Sequence, residues 1–355
     1  MKVGLSDKSR ILVITKFRYL GDTIVATPFL RRLYEAFPTS EITVLGGPSI
    51  PSLLAGCPYI REAWGFDPEQ REASNTGQIL TRIHGAAFDT VFLLNRSVHS
   101  ALIAFRAKIP VRIGHATEFR GPLLTHRVRY EWGRHDRECA LDLLRRTGIP
   151  AESALPELWV SEQEREEARR MLKNNGVEPG RLLVGMQPGA NDPDIREWGA
   201  VRFAEVASRL AAEHNAHVVL LGAKDERPVS DEVAADFRQF ENRKNQKTEN
   251  PAVLTGETDL RQVLSIIALC DLWIGNDGGL LHAAVGLGPA TVGIFGPTKA
   301  RRWGYDDPRH KTMVVYPDGG GNPDAPVIRR CLDAITTDAV YDAAVTTLSA
   351  AKSKC

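Results

Sequence analysis

Short apolar runs alternate along this chain with longer segments in which apolar positions recur at helical spacing. The run Ile11-Leu-Val-Ile-Thr15 is typical of a buried parallel strand, which is apolar on both faces. After a short loop, Asp22 begins a predicted helix as its natural N-cap, with Leu30 and Leu33 on the apolar stripe. Pro28 predicts a kink in this helix. The pattern indicates a strand–helix unit at the start of the chain.

The same alternation continues through the first half of the chain. Strands are predicted at 42–45, 89–94 and 111–114, and helices at 97–107 and 136–148. The segment Ser161-Glu-Gln-Glu164 is a capping box that begins a strongly charged helix ending near Gly176. We interpret this charged helix as the bridge between two domains.

The strand–helix pattern then begins again. Strands are predicted at 182–186, 217–221, 252–254, 271–275 and 290–295, and helices at 199–212, 228–240, 259–270 and from 280 onward. A closing helix is predicted at 337–348. The second half therefore repeats the organisation of the first.

Two rounds of alternation predict an α/β protein made of two doubly wound, Rossmann-like domains that face a central cleft. A chain of 355 residues is also too long for one ordinary core. The predicted domains are an acceptor-binding domain at 1–176 and a donor-binding domain at 177–335. Residues 336–355 form a closing helix that could pack back on the first domain.

A tight polar turn, Asn276-Asp-Gly-Gly279, lies between a predicted strand and an apolar helix of the second half. Its paired glycines let a ligand approach the backbone, and the helix start directs free N–H groups toward that ligand. The pattern indicates a phosphate or diphosphate site, to which His282 on the first helical turn would add a donor. The alternative is a plain strand–turn–helix connection with no ligand.

Asp22 supplies an isolated carboxylate in the first half. Capping its helix is one role for it, but a cap at the carboxyl end of a strand also lies where open α/β sheets bind ligands. We hypothesise that the second domain holds an activated group by its diphosphate, and that Asp22 takes the proton of an acceptor hydroxyl as general base. Arg196 and His282 would stabilise the charge on the leaving diphosphate. Glycoside hydrolysis is less favoured, because no second carboxylate flanks the bond.

The composition is that of a soluble globular protein, with 43% hydrophobic residues and a formal net charge of +1. Five scattered cysteines, without a C-x-x-C pair, argue against a disulfide framework and against a zinc site. The D-x-D match Asp192-Pro-Asp194 is a weak metal signal in a proline-containing loop, and we predict no metal. No run is long enough to span a membrane and no signal peptide is present, so we expect a cytoplasmic protein.

Positive charge is concentrated between Asn95 and Arg137, where nine Arg and Lys residues outnumber three Asp and Glu residues. One interpretation is a basic rim for an anionic acceptor or a membrane surface, with Arg120 and Arg127 among the contacts. The other is a set of solvated loops. The nearly neutral total charge gives no indication of a nucleic-acid partner.

Several short motifs occur in a defined order along the chain. They are Ile11-Leu-Val-Ile-Thr-Lys…Leu-Gly-Asp-Thr23, Gln187-Pro-Gly-Ala-Asn191 with Arg196-Glu-Trp198, Leu254-Thr-Gly256, Asn276-Asp-Gly-Gly-Leu-Leu-His282 and Phe295-Gly-Pro-Thr298. Their order resembles that in glycosyltransferase family 9, the bacterial heptosyltransferases of lipopolysaccharide core assembly. The resemblance covers nearly the whole chain, from about Ile11 to the final helix.

The resemblance implies a GT-B fold and an inverting, metal-independent transfer of a heptose or related sugar. The donor substrate would be ADP-heptose, with no cofactor, and the acceptor an anionic lipid-linked saccharide, reached with at most a peripheral contact to the inner face of the inner membrane. Asp22 would be the base and Arg196 would bind the donor phosphates. The other implied donor contacts are Gly189, Asn191, Glu226 (at the ribose), Asp277, Gly278, Gly279, Leu280, His282, Gly296 and Thr298. The expected acceptor contacts are Lys16, Arg18, Gly21, Arg120 and Arg127.

Two positions depart from the family pattern. The family usually has Ser or Thr in place of Gly278, and commonly has Lys in place of Arg196, whose planar fork differs from a point charge. Both differences concern the donor more than the reaction type.

Two further functions stay open: a nucleotide-sugar epimerase of the same architecture, and a non-catalytic nucleotide-binding protein. A dinucleotide oxidoreductase is disfavoured, because only Gly21 occurs where that fold needs a G-x-G-x-x-G motif.

Overall fold

The computed structural model describes residues 8–67, 73–244, 248–297, 300–317 and 323–352. The chain divides into two compact units, Met1–Trp159 (unit 1) and Val160–Cys355 (unit 2). Each unit contains a six-stranded sheet in which the named strands pair in parallel. Among the helices described, none is long and apolar enough to cross a bilayer.

The sheet of unit 1 has the order β3-β2-β1-β4-β5-β6. Its strands are β1 (Arg10–Ile14), β2 (Glu41–Gly46), β3 (Glu62–Gly65), β4 (Thr90–Leu93), β5 (Val111–His115) and β6 (His126–Val128). The central strands β1 and β4 are buried on both faces, which agrees with their continuous apolar sequences. The strand order reverses between β1 and β4, so the crevice at their carboxyl ends is where such a sheet binds ligands.

The helices of unit 1 cover both faces of this sheet. They are α1 (Leu20–Val25), α2 (Thr27–Ala36), α3 (Ile50–Leu53), α4 (Ala73–Gly85), α5 (Val98–Arg106) and α6 (Asp136–Arg145). The single helix expected from Asp22 onward is instead two helices, divided at Ala26. Pro28 lies at the start of α2, where its missing N–H leaves no hydrogen bond unmade.

The prediction that Asp22 is an N-cap was wrong. The N-cap of α1 is Tyr19, and Asp22 lies in the first turn of the helix. A carboxylate at this position still faces the positive end of the helix. The error comes from the loop after β1, which becomes helical earlier than its sequence indicated.

The sheet of unit 2 has the order β12-β11-β10-β7-β8-β9. Its strands are β7 (Leu183–Gln187), β8 (His217–Leu220), β9 (Ala252–Val253), β10 (Leu272–Asn276), β11 (Ala290–Ile294) and β12 (His310–Met313). The helices of the unit are α7 (Glu162–Asn174), α8 (Pro193–Arg196), α9 (Ala200–His214), α10 (Arg227–Lys244), α11 (Leu260–Ile267), α12 (Gly279–Leu287), α13 (Ala300–Trp303), α14 (Ala325–Asp333) and α15 (Thr337–Lys352).

The charged helix α7 belongs to unit 2, so the division between units precedes it and does not follow it near Gly176. Ser161 and Glu164 form the predicted capping box. Glu164 then accepts two hydrogen bonds from Arg261 at the start of α11, at 2.6 and 2.8 Å. Arg165 donates to the Ala268 carbonyl at 2.9 Å. These contacts fix α7 to the second sheet's helical layer.

The closing helix α15 is also part of unit 2. Its expected packing against the first domain is not what places it in the fold. Val340, Ala344 and Leu348 lie in the core of unit 2 beside β11 and α9. Tyr341 hydrogen-bonds Glu213 at 2.6 Å and carries the guanidinium of Arg209 over its ring. The helix therefore completes the second core.

Candidate active site

In unit 1, Asp22 and Lys16 form a hydrogen-bonded ion pair where the sheet reverses its order. Lys16 directly follows the Thr15 that ends the β1 segment. The amide of the buried Asn95 donates to the Thr15 carbonyl at 2.8 Å, which holds the ends of β1 and β4 together. The Asp22 side chain is only 11% exposed. A carboxylate at this place needs its charge balanced, and Lys16 supplies that balance.

A small cavity adjoins this ion pair. Its lining includes Thr15, Lys16, Asp22, Arg96, His115, Tyr130 and Asp136. The enclosed space is about 20 Å³, room for about one water molecule. The Tyr130 hydroxyl donates to Asp136 at 3.2 Å at the beginning of α6. Asp22 therefore borders a small cavity whose lining has both polar and apolar side chains, Ala26 and Leu94 among the latter.

His115 is a member of this pocket that the sequence analysis did not select. It ends β5, is almost wholly buried, and packs edge-on against Tyr130. Burial, and next the positive charge of Arg120, lower the pKa of His115 to about 4. Neither ring nitrogen has a hydrogen-bonding partner among the described residues. His115 is thus a neutral imidazole at neutral pH.

Arg120 does not lie on a basic rim, and its expected contact with the acceptor is contradicted by its burial. Its side chain is completely buried. Its Nε donates to the His115 carbonyl at 2.7 Å and a terminal nitrogen donates to the Ser97 carbonyl at 3.3 Å. Counting charges along a sequence cannot distinguish a buried arginine from an exposed one. The role of Arg120 is to fix the loop that follows β5.

The other expected acceptor contacts lie at the surface of unit 1. Arg18 is exposed in the loop between β1 and α1, and Gly21 is half-buried in α1. Arg127 is exposed on the edge strand β6. Lys16 contacts the Asp22 carboxylate directly.

In unit 2, the Gly-rich turn joins β10 to α12 as the sequence predicted. Asp277 is buried, Gly278 is the extended N-cap of α12, and Gly279 begins the helix. No side chain caps the helix N-terminus. Its first N–H groups therefore point outward from the turn, as an anion site requires.

The amide of Gln187 lies directly against this turn and was not selected as a site residue. A Cβ atom placed on Gly278 would be 3.2 Å from Gln187 Oε1. That oxygen is buried and has no hydrogen-bonding partner among the described residues. The Gln187 Nε2 donates to the Glu226 carboxylate at 3.1 and 3.3 Å. Gln187 thus presents an unused acceptor beside the N-terminus of α12.

The Glu226 side chain accepts a backbone hydrogen bond and packs closely against two glycines. The backbone N–H of Ala223 donates to its carboxylate at 2.7 Å, and burial raises its pKa. A Cβ atom on Gly189 would come within 2.6 Å of the Glu226 side chain, and one on Gly222 within 2.4 Å. Both glycines are therefore needed for Glu226 to occupy this place.

An open groove runs beside Glu226. Its lining is Ala190, Asn191, Asp192, Pro193, Glu197, Asp225, Glu226, Pro228 and Val229. The expected contacts Asn191 and Glu226 thus share one groove. The structure therefore brings together Gln187, Gly189, Glu226 and Gly278 from the ends of three neighbouring segments.

Arg196, at the end of the short helix α8, is partly buried and lies 3.7 Å from the Asp192 carboxylate. Asp192 adopts a left-handed conformation, with φ of 64°. Asp192, the first carboxylate of the weak D-x-D match, is therefore an ion-pair partner of Arg196.

The remaining residues that were expected to contact the donor lie mainly among other side chains of unit 2. His282 is buried in α12, with its Nδ1 3.0 Å from the Tyr305 hydroxyl and its ring against Trp303. Leu280 is half-buried on the same helix. Gly296 follows β11 beside Ile328. Thr298 lies outside the described residues.

Comparison with known proteins shows the family of this chain. The profile of glycosyltransferase family 9 (heptosyltransferase) matches residues 77–318. Lipopolysaccharide heptosyltransferase 2 of Escherichia coli strain K12 is 30% identical over 304 residues, which covers 81% of this chain and 83% of that protein.

Solved structures show the same fold. A family 9 glycosyltransferase from Veillonella parvula has a TM-score of 0.81 at 23% identity, covering 97% of this chain and 99% of its own. The E. coli heptosyltransferase WaaC with ADP-2-deoxy-2-fluoro heptose has a TM-score of 0.68 at 17% identity, covering 94% and 98%. The predicted GT-B class, with two Rossmann-like sheets, is confirmed.

Proposed function

Because this chain belongs to glycosyltransferase family 9, the heptosyltransferases, we propose that it transfers a heptose from ADP-heptose to a hydroxyl of a lipopolysaccharide core acceptor. Unit 2 binds the donor and unit 1 binds the anionic, lipid-linked acceptor. The transfer inverts the anomeric centre and uses no metal ion. The observation that carries the proposal is the nearly buried Asp22, held by Lys16 at the point where the first sheet reverses its order.

The reaction is a single displacement. The acceptor oxygen forms a bond to the anomeric carbon while the bond from that carbon to the diphosphate oxygen breaks. The proton of the acceptor hydroxyl passes to the Asp22 carboxylate, and ADP leaves with the bonding electrons. One displacement at one carbon inverts its configuration. The ion pair with Lys16 holds the Asp22 carboxylate and balances its charge, and one of its oxygens accepts the proton.

Unit 2 stabilises the leaving group. Negative charge grows on the diphosphate as the bond breaks, and the free N–H groups at the start of α12 favour that charge. Arg196 adds a positive charge from the neighbouring loop. Because its present partner, Asp192, is 3.7 Å away and mostly exposed, that ion pair costs little to exchange for a phosphate.

The adenosine part of the donor is assigned to the groove beside Glu226. A carboxylate accepts hydrogen bonds from both ribose hydroxyls, and the backbone and Gln187 already orient this one. The unused oxygen of Gln187 is available for one more donor from the ligand or from an ordered water. The E. coli relative solved with an ADP-heptose analogue supports ADP-heptose as the donor.

Release of ADP tests the proposal. The purified protein is mixed with ADP-heptose and a lipopolysaccharide precursor that lacks heptose, and ADP and the extended saccharide are measured together. We expect stoichiometric formation of both, with no loss of activity in a chelator.

Two control reactions separate the alternatives. An epimerase would alter ADP-heptose without acceptor and release no ADP. A non-catalytic binding protein would be stabilised by ADP yet consume no donor. Either result would exclude the transferase.

A further inference from the structure

A loop of unit 1 holds one aromatic ring entirely in solvent. Phe119 is fully exposed, and it and Glu118 both have left-handed backbone conformations, with φ of 59° and 50°. L-residues adopt this conformation only at a cost in free energy. Two such residues in succession, carrying an unburied phenyl ring, indicate that the ring is needed at the surface.

The base of this loop is fixed. Arg120 follows Phe119 and anchors the loop to the Ser97 and His115 carbonyls. Its backbone N–H donates to the Thr117 carbonyl at 3.1 Å, which closes the turn. Phe119 therefore projects from a rigid support and not from a loose segment.

Positive charge lies close to this loop. The Arg127 side chain lies beside the loop, because a Cβ atom on Gly121 would be 3.8 Å from its Nε. Arg127 lies in β6 and Arg129 directly follows the strand; both are exposed on either side of the buried Val128, and both line one open groove. Neither arginine has a carboxylate partner in the described part of the chain.

A second exposed aromatic residue adjoins these arginines. Trp132 is 68% exposed and lines one open groove together with Arg127 and Arg129. The guanidinium of Arg96 lies 4.7 Å from the centre of its ring. Glu131 in the same groove pairs with Arg134 and Arg146, so it does not cancel the charge of the exposed arginines.

We propose that Phe119, Trp132, Arg127 and Arg129 form a docking surface for an anionic lipid membrane. Aromatic rings are favoured at the membrane–water interface, and exposed arginines are attracted to anionic headgroups. The ring of Phe119 enters the interface and the arginines contact the headgroup phosphates. The inference rests on the proposed function in one respect: a lipid-linked acceptor must be reached at a membrane.

Vesicle binding tests this surface. The full-length protein is sedimented with vesicles of phosphatidylcholine alone and of phosphatidylcholine mixed with phosphatidylglycerol. We expect binding only to the mixed vesicles, decreasing with added salt. Phe119→Asn, which tolerates the left-handed backbone, should lower the partition coefficient about tenfold. Arg129→Gln should weaken binding and reduce its dependence on salt.

Val201→Ser is the matched control, since Val201 is an exposed apolar residue of α9 in unit 2. It should bind vesicles like the wild type. Absence of wild-type binding to mixed vesicles at low salt, or equal binding by Phe119→Asn and Val201→Ser, would overturn the proposal.

A water-soluble, delipidated acceptor separates this proposal from the proposed function. Phe119→Asn should keep wild-type kcat and KM for that acceptor. A raised KM there would mean that Phe119 contacts the saccharide, and the membrane surface would be rejected. Failure of the heptosyltransferase function would appear differently, as no ADP release with either acceptor while vesicle binding persists.

Discussion

Asp22 combines two properties that a general base in this reaction needs. Its carboxylate is nearly buried, so little water competes for the acceptor hydroxyl, and Lys16 balances its charge. The ion pair with Lys16 means that variants at the two positions should have different effects. In the proposed mechanism, changes at Asp22 remove the proton acceptor, whereas changes at Lys16 act through Asp22 by altering its orientation.

Asp22→Asn keeps the size of the side chain but removes its ability to accept the proton. We expect kcat to fall about 10³-fold, while the donor KM stays within about twofold of the wild-type value. Initial rates of ADP release at saturating acceptor measure both. Asp194→Asn, which removes an exposed carboxylate in α8, is the control and should retain its activity. An Asp22→Asn enzyme with more than about half the wild-type kcat would exclude Asp22 as base.

His115 makes the stability of unit 1 depend on pH. Its pKa falls from 6.5 to about 4 on folding, because burial and Arg120 disfavour the charged ring. Between these values the unfolded chain binds the proton more readily than the folded one. The free energy of unfolding is therefore greatest above pH 6.5 and decreases as the pH falls toward 4, by about 3 kcal/mol over the whole interval.

His115→Phe removes this titration while keeping an aromatic ring beside Tyr130. We expect the variant to lose less stability than the wild type between about pH 7 and about pH 4.5 in urea unfolding. His84→Gln replaces an exposed histidine of α4 and should retain the wild-type pH dependence. Identical pH profiles for wild type and His115→Phe would show that the buried imidazole does not resist protonation.

At the scale of elements, the sequence predicted the central strands and the edge strand β9, but not the edge strands β3, β6 and β12. β1 and β10 are continuous apolar runs, since both of their faces are covered. β3 and β6 have only three or four residues of mixed polarity, because an edge strand is partly exposed. Their pairing depends on neighbours that are distant in sequence, so local periodicity carries little signal for them.

The residues of the candidate site also fall into two groups, those that the sequence indicated and those that it did not. The turn before α12 and Asp22 were predictable because strand, turn and helix are contiguous in sequence. Gln187 and His115 were missed, since each acquires its surroundings only when separate strands pair. Arg120 was assigned to the surface because charge is visible in a sequence and burial is not.

The N-terminus of α12 can be tested with two variants of Gly278. Its backbone is extended, so any residue can adopt it, and only the space beside Gln187 is limiting. Gly278→Ser adds a hydroxyl that can donate to the donor phosphates, and we expect ADP to bind about fivefold more tightly. Gly278→Val adds bulk without a donor and should weaken ADP binding at least about tenfold.

Isothermal titration with ADP measures both Gly278 variants. Because Gly278 is distant in sequence from Asp22 and belongs to the other unit, acceptor KM should not change in either. Weaker ADP binding by the serine variant than by the valine variant would place the diphosphate elsewhere.

At the scale of the whole molecule, the division of the chain before α7 assigns the charged helix to unit 2. The helix buries Ala168 and Leu172 on one side. The paired Glu164 and Arg261 join its start to α11, and this pairing lowers the pKa of Glu164 to about 2. The strongly charged sequence was interpreted as a bridge between two domains, whereas one face of the helix packs as part of the second unit.

Two fragments test this assignment. A fragment of residues 160–355 should fold, and ADP should raise its Tm, because it keeps all described contacts of unit 2. A fragment beginning at Val177 lacks α7 and exposes the apolar surface that Ala168 and Leu172 cover. Losing that burial and the partner of Arg261 should lower its stability by about 2–4 kcal/mol. Arg261→Gln in the longer fragment removes only the ion pair, so the Tm of this variant should lie between those of the two fragments. Equal Tm values for both fragments would place the unit boundary after α7, and would make the helix the bridge between domains that its sequence suggests.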